Sequence, residues 1–178
     1  MANIVFIAVS LDGYIADKQG SLEWLDAIPN PDNVDTGFGC LINRVDAVVM
    51  GRKTFDVVAG FSGEWPYTKP VFVVSKTLTQ LPNGYENKAT LINGTPTFIV
   101  SHLAEKGFTK LYIDGGTTIQ HFLAADLIDE MVITQFPILL GGGSPLFGAL
   151  VQPLYFNVSK SEVVLDNLVQ TTFLREKT

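Results

Sequence analysis

The chain has 178 residues, a length that fits one well-packed domain, and we expect a single domain over residues 1–178. Hydrophobic residues make up 47% of the chain and charged residues 17%, a composition that excludes a disordered protein. The formal net charge of −6 argues against general nucleic-acid binding, which requires a basic face, but it is compatible with small anionic ligands held by local donors.

Membrane and metal binding are also disfavoured. No stretch approaches the ~20 consecutive apolar residues of a membrane span, and residues 1–4 lack the basic flank of a signal peptide, so we expect a cytoplasmic protein without membrane contact. The single cysteine, Cys40, forbids an intrachain disulfide and supplies no metal cluster, so we expect no bound metal.

The first half of the chain predicts a strand, a long loop and a helix. Residues 3–9 form a β-branched apolar run that indicates a strand buried on both faces. Glycine and proline residues then mark an irregular segment over residues 12–31. Apolar positions with helical spacing predict a helix over residues 35–43.

The remainder alternates strands and helices before it ends in a hairpin. We predict strands at 47–50, 71–74, 89–92, 110–113 and 131–135. We also predict three helices: one that begins near residue 53, one over 97–106 and one over 117–125. This alternation is typical of a parallel sheet. Strand patterns at 154–158, 162–165 and 169–174 predict an antiparallel C-terminal hairpin.

Anion-binding groups follow three of the predicted strands, those at 47–50, 71–74 and 110–113. In an open α/β sheet, ligands bind at the carboxyl ends of the strands, and a helix N-terminus there carries unpaired N–H groups and about half a positive charge. The sequence therefore predicts a site for an extended ligand with several phosphates. The candidate residues are Gly51, Arg52, Lys53, Thr54, Ser75, Lys76, Gly115, Gly116, Thr117 and Thr118.

Five motifs, in order along nearly the whole chain, resemble the dihydrofolate reductase superfamily. They are SLDGYIA at 10–16, VMGRKTF at 49–55, VVSKT at 73–77, IDGG at 113–116 and PILLGGGSPLF at 137–147. The resemblance is to the bacterial branch close to the C-terminal reductase domain of the bifunctional deaminase-reductase of riboflavin biosynthesis. It implies a three-layer α/β/α fold with a mostly parallel central sheet and an antiparallel C-terminal hairpin.

The resemblance also implies an NADPH-dependent oxidoreductase. In the family, the first two junctions hold the adenosine end of the cofactor with its 2′-phosphate, and the Gly115–Gly116 turn approaches the diphosphate. Arg52, with Ser75 and Lys76, therefore favours NADPH over NADH, because a guanidinium makes bidentate, charge-assisted bonds to phosphate. The alternative for Arg52 is an exposed charge beside a loop.

Asp35 and Thr134 are the candidate catalytic pair. An ungapped count back from Gly51 puts Asp35 where dihydrofolate reductases carry their substrate-binding carboxylate, and Thr134 matches the partner threonine. A carboxylate in an apolar cleft can recognise a pair of N–H groups and take part in proton delivery. The alternative for Asp35 is an acidic residue at a helix N-terminus, and both interpretations stay open.

Asp12, Trp24 and Asp114 are the candidate substrate-binding residues. The loop from Asp12 to Trp24 is predicted to close over nicotinamide and substrate, with Trp24 excluding water. The alternative for Asp12 is a turn role before Gly13, and the alternative for Trp24 is a hydrophobic anchor that never moves.

Departures from dihydrofolate reductases disfavour folate as the substrate. Those enzymes typically have glycine at the position of Asp114, tyrosine at that of Ile119, and an arginine for the folate tail where this chain has at best Lys69. The riboflavin-type branch commonly has an acidic residue before its Gly-Gly pair, as Asp114 is here. The resemblance thus implies a reductase similar to 5-amino-6-(5-phosphoribosylamino)uracil reductase.

Such a reductase transfers hydride to a heterocyclic or sugar-imine small molecule. Dihydrofolate reductase activity is one alternative, and a non-catalytic nucleotide-binding protein of the same fold is another. A homodimer is also expected from the resemblance, with the apolar C-terminal hairpin as an interface edge.

Overall fold

An eight-stranded sheet forms the centre of the structure, a computed structural model that describes residues 1–177. Its strands lie in the order β5-β4-β3-β6-β1-β7-β10-β9, and β2 and β8 pair separately. The strands are β1 (Ala2–Ser10), β2 (Tyr14–Ala16), β3 (Ala47–Gly51), β4 (Val71–Val74), β5 (Ala89–Ile92), β6 (Lys110–Asp114), β7 (Glu130–Phe136), β8 (Ser144–Pro145), β9 (Phe156–Val164) and β10 (Leu168–Arg175). The helices are α1 (Phe38–Arg44), α2 (Arg52–Ala59), α3 (Pro96–Glu105), α4 (Gly116–Ala124) and a 3-10 helix (Glu23–Ala27).

The sheet has the predicted mixture of strand directions. Neighbours from β5 across to β7 are parallel, whereas β10 is antiparallel to both β7 and β9. The mostly parallel sheet with an antiparallel C-terminal hairpin is therefore confirmed. The hairpin differs from the prediction in one respect: residues 154–158 and 162–165 are not separate strands, because β9 runs without a break through Ser159 to Ser161. That polar stretch lies exposed at the sheet edge, so it lacks the alternating apolar signal of a strand.

Helices cover both faces of the sheet. Ile4, Val48 and Tyr112 point to the face covered by α1 and α2, where Phe55 is fully buried. Their neighbours in sequence, such as Val5, point to the opposite face, which α3 and α4 cover. Side chains of a strand alternate between faces, so these two apolar clusters give the predicted three layers. No helix within residues 1–177 has the length and apolar character needed to span a membrane.

Helix α1 begins later than predicted. The predicted helix covered residues 35–43, but Gly37 has a φ of 114°, which is outside the helical region, and the helix starts at Phe38. Asp35 and Thr36 consequently belong to the segment that leads into the helix. This shift matters for the site because it changes where the carboxylate of Asp35 points.

The sheet opens at its centre, between β1 and β6. These parallel strands are paired only up to Val5 and Ile113, although β1 continues to Ser10. On its other side β1 stays paired with β7 as far as Ser10 and Phe136. A gap therefore separates the last residues of β1 from the end of β6, at the edge of the sheet where α/β proteins bind ligands.

Candidate active site

The three predicted anion-binding junctions lie side by side. Residues 51–54 follow β3, residues 75–76 follow β4 and residues 115–118 follow β6. Strand β3 is hydrogen-bonded to both β4 and β6 in parallel orientation, so all three carboxyl ends meet at one edge of the sheet. The structure thus brings together the residues that the sequence placed at separate strand ends.

The N-termini of α2 and α4 interlock through glycine and threonine. Gly51 caps α2 and Thr54 lies in its first turn, while Gly115 caps α4 and Thr118 lies in its first turn. A Cβ atom on Gly115 would lie 2.1 Å from Oγ1 of Thr54, and one on Gly51 would lie 2.8 Å from Oγ1 of Thr118. Because each glycine lacks a Cβ atom, the threonine of the other helix can pack directly against it. The result is two adjacent helix N-termini, a favourable arrangement for an anion such as a diphosphate.

Basic side chains flank these N-termini at the surface. Arg52, Lys53 and Lys76 are exposed. Nε of Arg52 lies 3.4 Å from Oδ2 of Asp56 one turn along α2, and both side chains are half exposed, so this ion pair holds Arg52 only weakly. The hydroxyl oxygen of Ser75 accepts the N–H of Leu78 at 2.9 Å, which fixes the turn after β4. The donors present fit a dinucleotide that carries an additional phosphate.

Asp114, the last residue of β6, lies beside the gap in the sheet. Its Oδ1 accepts the backbone N–H of Gly115 at 2.8 Å, and its Oδ2 accepts the hydroxyl of Tyr67 at 3.4 Å. Burial raises the pKa of the Asp114 carboxyl above its ordinary value. Burial and the nearby Asp114 also raise the pKa of Tyr67, so its phenol stays protonated. Asp114 can therefore keep a proton at a higher pH than an ordinary aspartate and donate it.

Four aromatic rings form a cluster on the α1 face of the sheet, and two of them, Tyr67 and Tyr112, lie beside Asp114. The ring centroid of Phe38 lies 6.3 Å from that of Phe6, 6.3 Å from that of Tyr67 and 6.4 Å from that of Tyr112. Phe6, Phe38 and Tyr67 are only partly buried, so their faces remain available to a flat ligand. Nothing in the sequence marks these four rings as part of a site. Phe38 lies within the helix that the sequence predicted, and its ring contacts that of Tyr67, which donates to Asp114.

The structure places the carboxylate of Asp35 at the start of α1. Asp35 is exposed, and its Oδ1 accepts the backbone N–H groups of Gly37 at 3.0 Å and Gly39 at 3.2 Å. The hydrogen bonds from Gly39 and Gly37 hold the pKa of this carboxyl below its usual value. These contacts support the helix-start alternative for Asp35. A catalytic role for Asp35 stays a prediction.

Thr134 is buried on β7 and is joined to the Asp35 segment through Gln170, a residue that the sequence analysis did not identify. Nε2 of Gln170 donates to Oγ1 of Thr134 at 2.8 Å and to the carbonyl of Thr36 at 2.9 Å. The predicted pair thus lies in one neighbourhood, but an amide rather than the Asp35 carboxylate bonds to Thr134. The sequence signals only that Gln170 lies on a strand with its side chain facing inward.

Asp12 ties the loop after β1 to the glycine-rich segment near residue 141. Its Oδ1 accepts the hydroxyl of Ser10 at 2.7 Å and the N–H of Leu140 at 3.1 Å, and its Oδ2 accepts the N–H of Gly141 at 2.7 Å. The bond from Ser10, followed by those from the backbone, holds the pKa of Asp12 below its usual value. These bonds support the turn alternative, and substrate contact by Asp12 stays a prediction.

Trp24 is buried, and its ring packs edge-on against Phe136 with centroids 5.1 Å apart. Leu168 at the start of β10 completes this small cluster. The packing supports the anchor alternative for Trp24. Closure of the Asp12–Trp24 loop and substrate contact by Trp24 stay predictions. Across residues 1–177, no cluster of three or more histidine, cysteine or acidic side chains is arranged to hold a metal ion.

Comparisons with known proteins identify the family of this chain. The model of the RibD C-terminal domain family matches residues 3–169. The uncharacterized protein YwjB of Bacillus subtilis (strain 168) is 37% identical over 150 residues, which are 83% of each chain. A crystal structure from Shewanella sp. PV-4, provisionally named a riboflavin biosynthesis protein, is 64% identical with a TM-score of 0.97 and covers 99% of this chain and 100% of its own.

Two more distant structures show the fold. The deaminase/5-amino-6-(5-phosphoribosylamino)uracil reductase of Thermotoga maritima has a TM-score of 0.76 at 17% identity, over 98% of this chain and 56% of its own. Dihydrofolate reductase from Enterococcus faecalis, solved with NADP(H), has a TM-score of 0.68 at 16% identity, over 99% of this chain and 97% of its own. The dihydrofolate reductase-like fold is thus confirmed, and the family match shows that the chain belongs to the RibD C-terminal domain family.

Proposed function

We propose that this protein is an NADPH-dependent reductase of a pyrimidine derivative. The observation that carries the proposal is the position of a protonatable acid beside two helix N-termini. Asp114 ends β6, and the next residue, Gly115, caps α4 against Thr54 of α2. An anionic cofactor and an electrophilic substrate can thus be held next to each other.

The residues at the three junctions would hold NADPH. The N–H groups that begin α2 and α4 suit its diphosphate, and Arg52, Lys53, Ser75 and Lys76 suit the 2′-phosphate at its adenosine end. Thr117, exposed in the first turn of α4, adds a hydroxyl at the same end of the sheet. When bound, NADPH supplies a hydride, which leaves binding, orientation and proton supply to the protein.

Asp114 and the surrounding rings would act on the substrate. Reduction of an imine carbon makes its nitrogen more basic, and Asp114 can hold the proton that this nitrogen needs because burial raises the pKa of its carboxyl. Tyr67 donates its hydroxyl to Asp114 and so keeps the carboxyl in place. Phe6 and Phe38 present apolar ring faces that suit a planar heterocycle and exclude water.

The substrate proposed is 5-amino-6-(5-phosphoribosylamino)uracil or a close relative. Membership of the RibD C-terminal domain family supports this choice, as does the reductase name of the Thermotoga maritima protein with the same fold. Asp114 occupies a position where dihydrofolate reductases typically have glycine, so dihydrofolate is the weaker candidate. A protein that only binds nucleotides has no need of a protonatable acid at this point.

A substrate panel tests the proposal. The protein is titrated with NADPH in a calorimeter and then mixed with NADPH and either the pyrimidine or dihydrofolate, while the absorbance of the reduced nicotinamide is followed. We expect NADPH binding and loss of absorbance with the pyrimidine alone. Binding without oxidation of NADPH by either compound contradicts the reductase proposal and favours a nucleotide-binding protein. Oxidation with dihydrofolate alone moves the assignment to dihydrofolate reduction.

Self-association through the C-terminal hairpin forms part of the proposal. Strand β9 lies at the edge of the sheet, and Val158, Val163 and Val169 are exposed on the two hairpin strands. In the antiparallel register Val163 lies opposite Val169, so their side chains form one apolar patch. A second copy of the chain would cover this patch in a homodimer.

A further inference from the structure

The side-chain amide of Gln170 has only one possible orientation. Its terminal group lies 2.9 Å from the carbonyl oxygen of Thr36, which can only accept a hydrogen bond. The atom that faces this carbonyl must therefore be Nε2, and the opposite orientation would place two acceptors against each other. The second N–H of Nε2 donates to Oγ1 of Thr134 at 2.8 Å. Both amide protons are thus used.

The amide oxygen of Gln170, by contrast, has no donor within residues 1–177. Among those residues, the fully buried polar side-chain atoms without a partner are Asn3 Oδ1 and Trp24 Nε1, so Oε1 of Gln170 retains access to solvent. A Cβ on Gly37 would lie 3.9 Å from this oxygen, and Gly37 leaves that space open. Gln170 as a whole is 91% buried. Polar groups of buried side chains normally have a hydrogen-bond partner, so a free acceptor at this position needs an explanation.

This oxygen lies beside the aromatic pocket rather than in the general core. The register places Ala8, Thr134 and Gln170 next to one another across β1, β7 and β10, on the same face as Phe6. The same Cβ on Gly37 would lie 3.4 Å from the ring of Phe6, which packs against Phe38. The free acceptor therefore adjoins the rings that suit a planar heterocycle.

Thr134 completes a donor and acceptor pair. Its Oγ1 already accepts from Gln170, so its own hydroxyl proton remains available to an acceptor. Oε1 of Gln170 can accept a hydrogen bond from a ligand, and the Thr134 hydroxyl can donate one. The lactam edge of a heterocycle has an N–H next to a C=O and therefore offers the matching groups. A carboxylate only accepts hydrogen bonds, so it would instead select an edge with two adjacent N–H groups.

We infer that Gln170 and Thr134 determine substrate specificity by binding the neutral lactam edge of the heterocycle, a role that rests on the proposed function. Gln170 accepts a ring N–H, and Thr134 donates to the adjacent carbonyl. The carboxylate of Asp35 points toward the start of α1, so the side-chain amide of Gln170 binds the heterocycle in its place. The site consequently binds the pyrimidinedione ring in its neutral form, and the proton from Asp114 goes to the imine nitrogen outside the ring.

A binding experiment with three small probes, one parent compound and two methylated analogues, tests the inference without relying on turnover. The protein saturated with NADPH is titrated calorimetrically with 5,6-diaminouracil and with its analogues methylated at either ring nitrogen. We expect methylation of one ring nitrogen to weaken binding about tenfold, the loss of one buried hydrogen bond. Gln170→Met should weaken binding of 5,6-diaminouracil by a similar factor and abolish the difference between the two methylated probes. Thr134→Val should weaken binding of the two methylated probes alike, because the carbonyl is common to them.

The outcomes separate this inference from the proposed function. NADPH affinity and the circular dichroism spectrum of each variant report on folding. If Gln170→Met binds NADPH normally and still distinguishes the methylated probes, Gln170 does not contact the ring and the inference is overturned while the reductase proposal stands. If the unmodified protein binds NADPH but none of the uracil probes, both the lactam contact and the pyrimidine substrate are wrong. Equal weakening of all probes in Gln170→Met indicates a purely structural role and also overturns the inference.

Discussion

Gly115 and Thr54 form a contact that no other residue at position 115 permits. The backbone of Gly115 has a φ of 87°, and a Cβ there would lie 2.1 Å from Oγ1 of Thr54. This contact joins the N-termini of α4 and α2, the two helices that follow β6 and β3. The proposed diphosphate site depends on it because it keeps both sets of N–H groups adjacent.

Gly115→Ala should therefore lose both stability and cofactor binding. A positive φ costs a residue other than glycine about 1–2 kcal/mol, and the clash with Thr54 adds to that cost and displaces the start of α4. Gly107→Ala is the matched control, since Gly107 has a φ of 89° and a Cβ there meets nothing within 4 Å. Chemical denaturation and calorimetry should show a larger loss of stability for Gly115→Ala and a loss of NADPH affinity in that variant alone. Equal effects in the two variants would show that the contact is unimportant.

Arg52→Ala should remove most of the preference for NADPH over NADH. A charge-assisted contact to the 2′-phosphate contributes on the order of 1–3 kcal/mol, and NADH lacks that phosphate. Lys106→Ala serves as the control because Lys106 is also exposed and basic but lies at the end of α3. Calorimetric titration with both cofactors measures the preference. Unmodified protein that binds NADPH and NADH equally would refute the 2′-phosphate site.

Asp56→Asn tests the ion pair that competes for Arg52. The pair is long, at 3.4 Å, and half exposed, so its loss should cost less than about 1 kcal/mol of stability. Release of the guanidinium should leave NADPH affinity unchanged or raise it slightly. A marked fall in NADPH affinity would mean that the Asp56 pair positions Arg52 instead of competing for it.

Asp114→Asn should slow turnover by roughly 100-fold or more, which is the range of general acid catalysis. The same substitution should stabilise the fold at neutral pH. Because burial raises the pKa of Asp114 in the folded state, the native protein binds this proton more tightly than the unfolded chain does. The carboxylate therefore destabilises the fold above its folded pKa, and this penalty disappears as the pH falls through that value. Denaturation of both proteins across acidic and neutral pH should show a stability gain that is confined to the higher pH. A variant less stable than the parent at pH 7 would refute the effect of burial.

Asp35 can be tested by two substitutions with opposite expectations. If the carboxylate is catalytic, Asp35→Asn should lower turnover and leave stability alone. If it serves the start of α1, Asn should be tolerated because its oxygen still accepts the N–H groups of Gly37 and Gly39, whereas Asp35→Ala should cost about 0.5–2 kcal/mol. We expect the second pattern from the hydrogen bonds in the structure.

The pH dependence of Asp35→Ala adds an independent check. Because the folded pKa of Asp35 is lowered, its stabilising contribution is present above the unfolded pKa and is lost as the pH falls through the folded value. The difference between parent and Asp35→Ala should accordingly shrink in acid. A difference that is constant with pH would show that the charge of Asp35 does not stabilise the helix start.

Val163→Lys should dissociate the proposed homodimer. Val163 is 64% exposed on the edge strand β9, and a charge there would disrupt an apolar interface. Phe61→Lys is the control because Phe61 is similarly exposed but lies in the loop after α2. Light scattering after size exclusion gives the mass. A parent protein that is monomeric at high concentration would contradict the homodimer.

The strand-end junctions could be predicted because their signals are local. An apolar run that leads into Gly51, or through Asp114 into Gly115, marks the end of a buried strand, and the order of such runs indicates parallel strands. The contact between Gly115 and Thr54 could not be predicted, because it arises when elements distant in sequence pack together. Sequence alone predicts that these glycines are in turns, but it does not predict which side chain packs against each glycine.

Side-chain direction explains what the sequence analysis left open or missed. An ungapped count fixes the position of Asp35 but not the turn at Gly37, and that turn aims the carboxylate at α1. Gln170 resembles any inward-facing strand residue until its bonds to Thr36 and Thr134 are seen. Tyr67 lies in an irregular segment without periodicity, so nothing in the sequence joins it to Asp114.

Deuterium transfer tests the central claim, that this protein moves a hydride from NADPH to a pyrimidine substrate. The protein is incubated with 5-amino-6-(5-phosphoribosylamino)uracil and with NADPH deuterated on one or the other face of nicotinamide C4, and the product is analysed by mass spectrometry. We predict that one of the two labelled cofactors places a single deuterium on the reduced sugar carbon. A product without deuterium from either cofactor, or no product when calorimetry shows both compounds bound, would contradict the account.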